Sequence, residues 1–238
     1  KKHQWPAERQ PVARRSLSDV APVFEAFDEL TLDGASCLLA AEGAAADLPL
    51  DQDNYTISAW IQPDPSSDSE GGIVGWGTCG SFDSCLGFRM DGFDQLLTQW
   101  FSPADLRTPA LPTSLADGQW HFVATQYDGT TLRMFVDDAT SPVAVRAETE
   151  RPDGSFNDKN DFCVGKTHGD TYFTGGIRQL RIHKAAVSVE SLYLLEAPSS
   201  PPPGSSPLPS FPPPSPRLPP PSPSPPPPLP SPPPPLPS

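Results

Sequence analysis

The residues whose type and spacing could do chemistry are few: four cysteines, four histidines, one closely spaced carboxylate pair and one Asn-Tyr-Thr triplet. Cys37, Cys79, Cys85 and Cys163 make an even count with no Cys-x-x-Cys spacing, a pattern that favours disulfides over zinc. Cys79 and Cys85 bracket the short stretch Gly-Ser-Phe-Asp-Ser, which a local bridge would close. Four free, buried thiols are the alternative; bridges would imply an oxidising compartment. His3, His121, His168 and His183 are scattered. His121 and His183 fall inside predicted strands, where a histidine more often packs or makes a structural hydrogen bond than catalyses. Glu148 and Glu150 alternate as a glycosidase acid pair would. They stand at a strand end beside Arg151-Pro152, however, and read as a solvated rim pair. No Gly-x-Ser-x-Gly, phosphate-binding loop or His-x-x-x-His occurs, and no Cys–His pairing for a thiol nucleophile is legible. The chain therefore reads as non-enzymatic. Asn54-Tyr55-Thr56 is an N-glycosylation sequon, placed where a polar stretch runs into a strand, so Asn54 is expected to be exposed. Aromatic rings that could stack on a sugar are Trp76, Trp100, Phe101 and Tyr172, each at a predicted strand end or in a loop.

The elements that must position these groups are strands. Between Asp117 and Asp138 the sequence predicts a β-hairpin. His121, Val123, Thr125 and Tyr127 share one face; Trp120, Phe122, Ala124 and Gln126 share the other. Asp128-Gly129 supplies residues that tolerate positive φ at the turn. Leu132, Met134 and Val136 then alternate with Arg133, Phe135 and Asp137. Apolar groups on both faces place the hairpin inside a sheet sandwich rather than at its edge. The same alternation marks strands within 30–32, 36–41, 56–61, 73–76, 86–91, 95–101 and 141–148, with a proline-broken loop over 102–112. In all, ten to twelve short strands with frequent turn residues predict a β-sandwich.

Four stretches in order carry a family resemblance. They are Tyr55-Thr-Ile-Ser-Ala-Trp-Ile-Gln-Pro63, Gly71-Gly-Ile-Val-Gly75, the hairpin with Asp117-Gly-Gln-Trp-His-Phe-Val-Ala124, and Phe162-Cys-Val-Gly165 followed by Phe173-Thr-Gly-Gly-Ile-Arg-Gln-Leu-Arg-Ile-His183. Together they resemble the laminin-G-like (concanavalin-A-like) jelly roll over residues 30–196. The resemblance implies an all-β fold of two antiparallel sheets, closed by a short terminal helix or turn at Ser188–Leu195. It implies that Trp60 and Trp120 pack in the core. It also implies that the first and last strands lie close, so that Cys37 would pair with Cys163 once Cys79 and Cys85 are joined. Many members bind calcium through an aspartate after the glycine of the last strand. Here that segment reads Gly175-Gly-Ile-Arg178-Gln179, with an arginine at the ligand position, so no cofactor is expected there. Asp51, Asp53, Asp91 and Asp94 remain the possible oxygen ligands for calcium elsewhere. Fold does not fix activity.

Composition divides the chain into a leader (1–22), a sandwich (23–197) and a tail (198–238). The leader has no periodicity and is basic: Lys1, Lys2, Arg9, Arg14 and Arg15 stand against Glu8 within the first 16 residues. No apolar signal core follows, and the chain begins with Lys1 rather than Met, as a processed protein or a piece of a longer one would. Residues 17–197 hold 10 basic and 28 acidic residues, a net charge near −18. Such a surface repels nucleic acid and anionic membrane. No apolar run approaches the roughly 18–20 residues that span a bilayer. Of 35 prolines, 24 lie in the tail, which has no charge except Arg217. Polyproline II is the conformation left to it, on the order of 130 Å if fully extended. A bare spacer and a ligand for intracellular proline-binding domains are alternatives; the cysteines and sequon argue against the second.

The Ser-Pro repeats beside a small head resemble the hydroxyproline-rich glycoproteins of plant and green-algal surfaces. The resemblance implies arabinose-rich glycans on hydroxylated prolines, with candidates Pro201, Pro202, Pro203, Pro212, Pro213, Pro214, Pro219, Pro220, Pro221, Pro225, Pro226, Pro227, Pro228, Pro232, Pro233, Pro234 and Pro235. The expected function is a secreted structural or adhesive subunit of a cell surface or wall, with other surface or matrix glycoproteins or copies of itself as partners. The basic leader would dock on an acidic neighbouring head. A carbohydrate-binding, lectin-like module with the tail as spacer is the alternative.

Overall fold

The computed structural model of the chain describes residues 20–26, 29–39, 47–50, 53–66, 70–77, 85–92, 94–100, 105–147, 162–167 and 171–196. The strands are β1 (Phe24–Ala26), β2 (Leu30–Asp33), β3 (Leu38–Leu39), β4 (Tyr55–Pro63), β5 (Gly71–Gly77), β6 (Cys85–Asp91), β7 (Gln95–Gln99), β8 (Leu106–Arg107), β9 (His121–Tyr127), β10 (Thr131–Val136), β11 (Ala144–Ala147), β12 (Cys163–Val164) and β13 (Thr174–His183). One helix, α1 (Val189–Glu196), follows. All pairings between the named strands are antiparallel, in two sheets. A seven-stranded sheet runs β1-β13-β4-β9-β10-β11, with β2 also on β13; a six-stranded sheet runs β3-β12-β5-β6-β7-β8. The fold is therefore the all-β, two-sheet sandwich that the alternation predicts. β8 lies inside the stretch read as a proline-broken loop: Leu106 and Arg107 pair with Thr98 and Leu97 before Pro109 ends the run.

The hairpin is β9 and β10, with Tyr127 opposite Leu132. Its turn uses Gly129 at φ +91°, and Asp128 Oδ1 accepts from the Thr130 and Thr131 amides (3.0 and 2.8 Å). Strand parity sorts the side chains into two apolar clusters. Between the sheets lie Tyr55, Ile57, Ile61, Val74, Trp76, Phe88, Met90, Val123, Tyr127, Met134, Ile177 and Ile182, among others. On the outer face of the seven-stranded sheet, Trp60, Phe122, Ala124 and Phe135 meet Val187, Val189 and Leu192 around α1. That second cluster is why β9 and β10 are apolar on both faces. Each such buried side chain contributes roughly 1.5–3 kcal/mol of transfer free energy.

Polar ties fix the register of the closing segment. Thr56, fully buried on the outer side of β4, donates to Ala185 O (2.9 Å) and accepts from Val187 N (3.0 Å) and Gln126 Nε2 (3.4 Å). Cys37 and Cys163 are disulfide-bonded, with Cα atoms 5.9 Å apart. Cys163 pairs with Leu39 in the same ladder, so the bridge staples the first strand of the six-stranded sheet to one of the last. Cys85 is also disulfide-bonded; Cys79 lies outside the described residues.

Candidate functional site

The two outer faces of the sandwich differ. That of the seven-stranded sheet is covered by α1 and its aromatic cluster, where Trp60 and Tyr193 stack at 5.9 Å. That of the six-stranded sheet carries polar side chains in rows across the strands. Arg89, Leu97 and Arg107 stand in one row; Asp91 and Gln95 form the next; Gly75, Gly87 and Gln99 form a third on the other side. These are the residues that alternate with the inward Leu86, Phe88, Met90 and Leu96, so strand parity presents them outward.

Residues 165–167 and 171–173 lie against this face at β5. Gly165 N donates to Ile73 O (2.8 Å), Phe173 N to Gly165 O (2.9 Å) and Thr167 N to Thr171 O (3.2 Å). The approach is so close that a Cβ on Gly72 would fall 2.2 Å from Thr167 N and 2.4 Å from Lys166 C, both backbone atoms. Thr167 itself rests over the cross-strand pair Gly75 and Gly87. Tyr172 is half-buried at this margin, bridged to Gly72 and Lys166, with Lys166 Nζ 4.7 Å from its ring centroid.

Arg89, Asp91 and Arg107 form the charged centre of the face. Arg89 Nη2 donates to Asp91 Oδ1 (2.9 Å), and Arg89 Nη1 donates to Thr171 Oγ1 (3.4 Å). Arg107 Nε lies 2.5 Å from Asp91 Oδ2, an ion pair whose alignment falls short of a hydrogen bond. The carboxylate side chain is 6% exposed, Arg89 15% and Arg107 51%, so a buried anion holds one sheltered and one open guanidinium. Arg89 Nε, Asp91 Oδ2 and Thr167 Oγ1 are buried without a hydrogen-bond partner. Buried polar atoms of this kind are normally satisfied by ordered water or a ligand. Gln99, half-buried, completes a surface of guanidinium, amide and phenol groups beside Thr167, which covers Gly75 and Gly87. Such a surface can hydrogen-bond a polar, multi-hydroxyl ligand.

Of the stacking candidates among the described residues, only Tyr172 lies at this face. Trp76 and Trp100 do not: both are core residues, 2% and 0% exposed. Trp76 points inward opposite Leu86, packs on Phe162 and donates from Nε1 to Pro49 O (3.0 Å). Trp100 packs edge-on to Tyr127 and donates from Nε1 to Tyr55 Oη (3.1 Å). Their position near strand ends suggested exposure, whereas parity turns them in. Phe101 lies outside the described residues, as do His3, His168, Glu148 and Glu150. Trp120, read as core, is half-buried instead: its ring edge covers Gly176 and Arg178 stacks on it at 4.1 Å. Arg89, Arg107 and Gln99 were not singled out from sequence; their signal was the polar half of the alternation in β6, β7 and β8.

Arg178, at the position of the familial calcium ligand, lies over Trp120 and within 5.6 Å of the Trp60 ring. A cation already fills that place. Asp53 accepts from Leu50 N and pairs with Lys184 Nζ (2.9 Å each); Asp94 accepts from Ser114 Oγ (3.0 Å); Asp91 is engaged by two arginines. Asp51 lies outside the described residues. Among the described residues no three His, Cys, Asp or Glu side chains converge on a metal-sized site. Asn54 is exposed, at the mouth of β4. No described helix is long and apolar enough to cross a membrane.

Comparisons with known proteins agree with this fold. The sandwich superposes on the CBM40 domain of the Ruminococcus gnavus IT-sialidase, solved with α2,3-sialyllactose, with a TM-score of 0.59 and 14% identity; the match covers 74% of this chain and 99% of that one. The leech intramolecular trans-sialidase, solved with 2,7-anhydro-Neu5Ac, gives a TM-score of 0.60 and 16% identity over 74% of this chain, but only 28% of the enzyme. The binding domain of Paraclostridial Mosquitocidal Protein 1 gives 0.50 and 11%, over 73% and 51%. At these identities the likeness is one of fold. No curated protein sequence matches the chain. Residues 40–192 match the Laminin_G_3 family, described as the concanavalin A-like lectin/glucanases superfamily. With more than half of its length covered by that match, and with the two-sheet sandwich to go with it, the chain belongs to the concanavalin A-like lectin/glucanase superfamily.

Proposed function

We propose that the sandwich is a non-catalytic carbohydrate-binding module, carried by a secreted glycoprotein whose proline-rich tail is a stalk. The observation that carries the reading is the outer face of the six-stranded sheet. It is covered by no described helix, and it presents Arg107, Gln99, Arg89 and Tyr172 beside residues 165–167, which rest over Gly72, Gly75 and Gly87. Support comes also from the superfamily, which is one of lectins and glucanases, and from neighbours of the same fold described as carbohydrate-binding or binding domains. The disulfide between Cys37 and Cys163 fits an oxidising, extracellular setting.

The test is binding of the full chain to a broad glycan array, with calcium and with EDTA. Specific binding lost in Gln99→Ala, with an unchanged melting temperature, is the expected result. Glycan binding retained in that variant and in Arg107→Ala would move the site elsewhere. Absence of any glycan binding would overturn the reading. It would leave the second one, a structural or adhesive subunit that binds other surface glycoproteins or copies of itself. That reading is favoured by the tail, where 24 of 41 residues are proline.

A further inference from the structure

The charged centre of the same face points to a narrower ligand class. We infer that the site selects saccharides bearing an oxyanion, a carboxylate or a sulfate, and that Arg107 is the residue that reads it. The inference rests on the carbohydrate-binding reading above. Asp91 is buried, fixed by Arg89 at 2.9 Å, and holds Arg107 through Nε at 2.5 Å. A guanidinium tethered at Nε keeps its two terminal nitrogens together on the opposite edge, the fork that fits two oxygens of one oxyanion. Among the described residues those nitrogens have no hydrogen-bond partner, and the side chain is half exposed. The trio of Arg89, Asp91 and the half-exposed Arg107 carries two positive charges and one negative, so an anionic group completes its charge balance.

The ion pair with Asp91 holds Arg107 in place before any ligand arrives, and such preorganisation lowers the cost of ordering the side chain on binding. The surrounding domain is strongly acidic, near −18. Its repulsion is screened beyond roughly 8 Å at physiological ionic strength. The arrangement therefore discriminates against long polyanions while the local fork accepts a single acidic sugar. Gln99, two residues along the sheet from the row of Arg107, is placed for the neutral hydroxyls of the same ligand.

The experiment uses the full chain on an array of matched pairs: uronates with their methyl esters, sulfated glycans with their desulfated forms, and sialylated glycans with their asialo forms. Wild type is expected to prefer the acidic member of a pair by about tenfold, the scale of one charge-assisted hydrogen-bonded pair. Which pairs show the preference separates carboxylate from sulfate. Arg107→Lys keeps the charge and removes the fork. It should lose most of the preference while its melting temperature stays close to wild type. Added inorganic sulfate should compete in wild type only. Glycan binding with equal affinity within every pair, or a preference that survives in both Arg107→Lys and Arg107→Gln, would overturn this inference and leave the carbohydrate-binding reading standing. No binding to any member would remove both.

Discussion

His121 lies between Asp137 (Nδ1···Oδ2 2.7 Å) and Asp117 (Nε2···Oδ1 3.0 Å), and the hydrogen bond it donates to the Asp137 carboxylate raises its pKa, outweighing the opposing effect of burial. His183, 4% exposed on β13, is the reverse: burial, with Arg181 nearby, pushes it down to about 4. The two pull stability in opposite directions. His121 contributes stability that is full below its unfolded value of about 6.5 and is lost as pH rises through its raised folded pKa. His183 is neutral in the fold, while the unfolded chain binds a proton below about 6.5. Stability is therefore lost as pH falls from about 6.5 towards 4, by an amount on the order of 3 kcal/mol. Urea-unfolding midpoints measured from pH 4 to 9 should show both limbs. His183→Gln should flatten the acid limb, and His121→Gln the alkaline one; a variant whose profile parallels wild type would refute the assignment for that histidine. Both residues were legible as structural from their place in predicted strands. Which way each titrates was not, because Asp137 reaches His121 only once β10 has folded back beside β9.

Elements were the most legible level, since period-two alternation survives in every long strand. The shortest were not: β8 has two residues, too few for a period to declare itself, and it is held by its ladder to β7 rather than by its own composition. The reading of Trp76 and Trp100 failed for a related reason. A strand end in sequence is not an edge of the sandwich, and each ring follows the parity of its strand into the core. The apolar outer side of β9 and β10 was read correctly as a sign of burial, and α1 is what buries it. Leu192, 1% exposed, is the most deeply buried of the described apolar side chains of α1, in the cluster with Trp60 and Phe122. Leu192→Ala should cost about 2–4 kcal/mol in chemical denaturation. Loss of near-ultraviolet aromatic signal from the outer cluster should accompany it. A cost below about 1 kcal/mol would mean that the helix is not needed to cover that face.

The whole molecule is legible mainly through composition. Charge asymmetry, the proline count and the four cysteines divide the chain before any strand is assigned, because they depend on bulk residue type rather than on which face a residue takes. The charged outer face of the six-stranded sheet is the opposite case. Arg89, Asp91 and Arg107 come from β6 and β8, and only the sheet order brings the three together. For the tail, the stalk reading makes a chemical prediction: protein purified from its source should carry pentose on hydroxyproline within residues 198–238, seen by mass spectrometry of tail peptides. Unmodified prolines there would reduce the tail to a spacer.

The buried hydroxyl of Thr56 sets an order of events. A transferase that modifies Asn54 must also read the threonine two residues on, yet in the fold that hydroxyl is enclosed by Ala185 and Val187, some 130 residues later in the chain. The window for adding a glycan therefore closes when the C-terminal segment docks. Purified folded protein should be refractory to an oligosaccharyltransferase that glycosylates a peptide spanning residues 50–60, and efficient modification of the folded chain would show the segment opens readily. Occupancy at Asn54 becomes a clock reading: it records whether the transferase arrived before the last strand and helix left the ribosome and closed over β4.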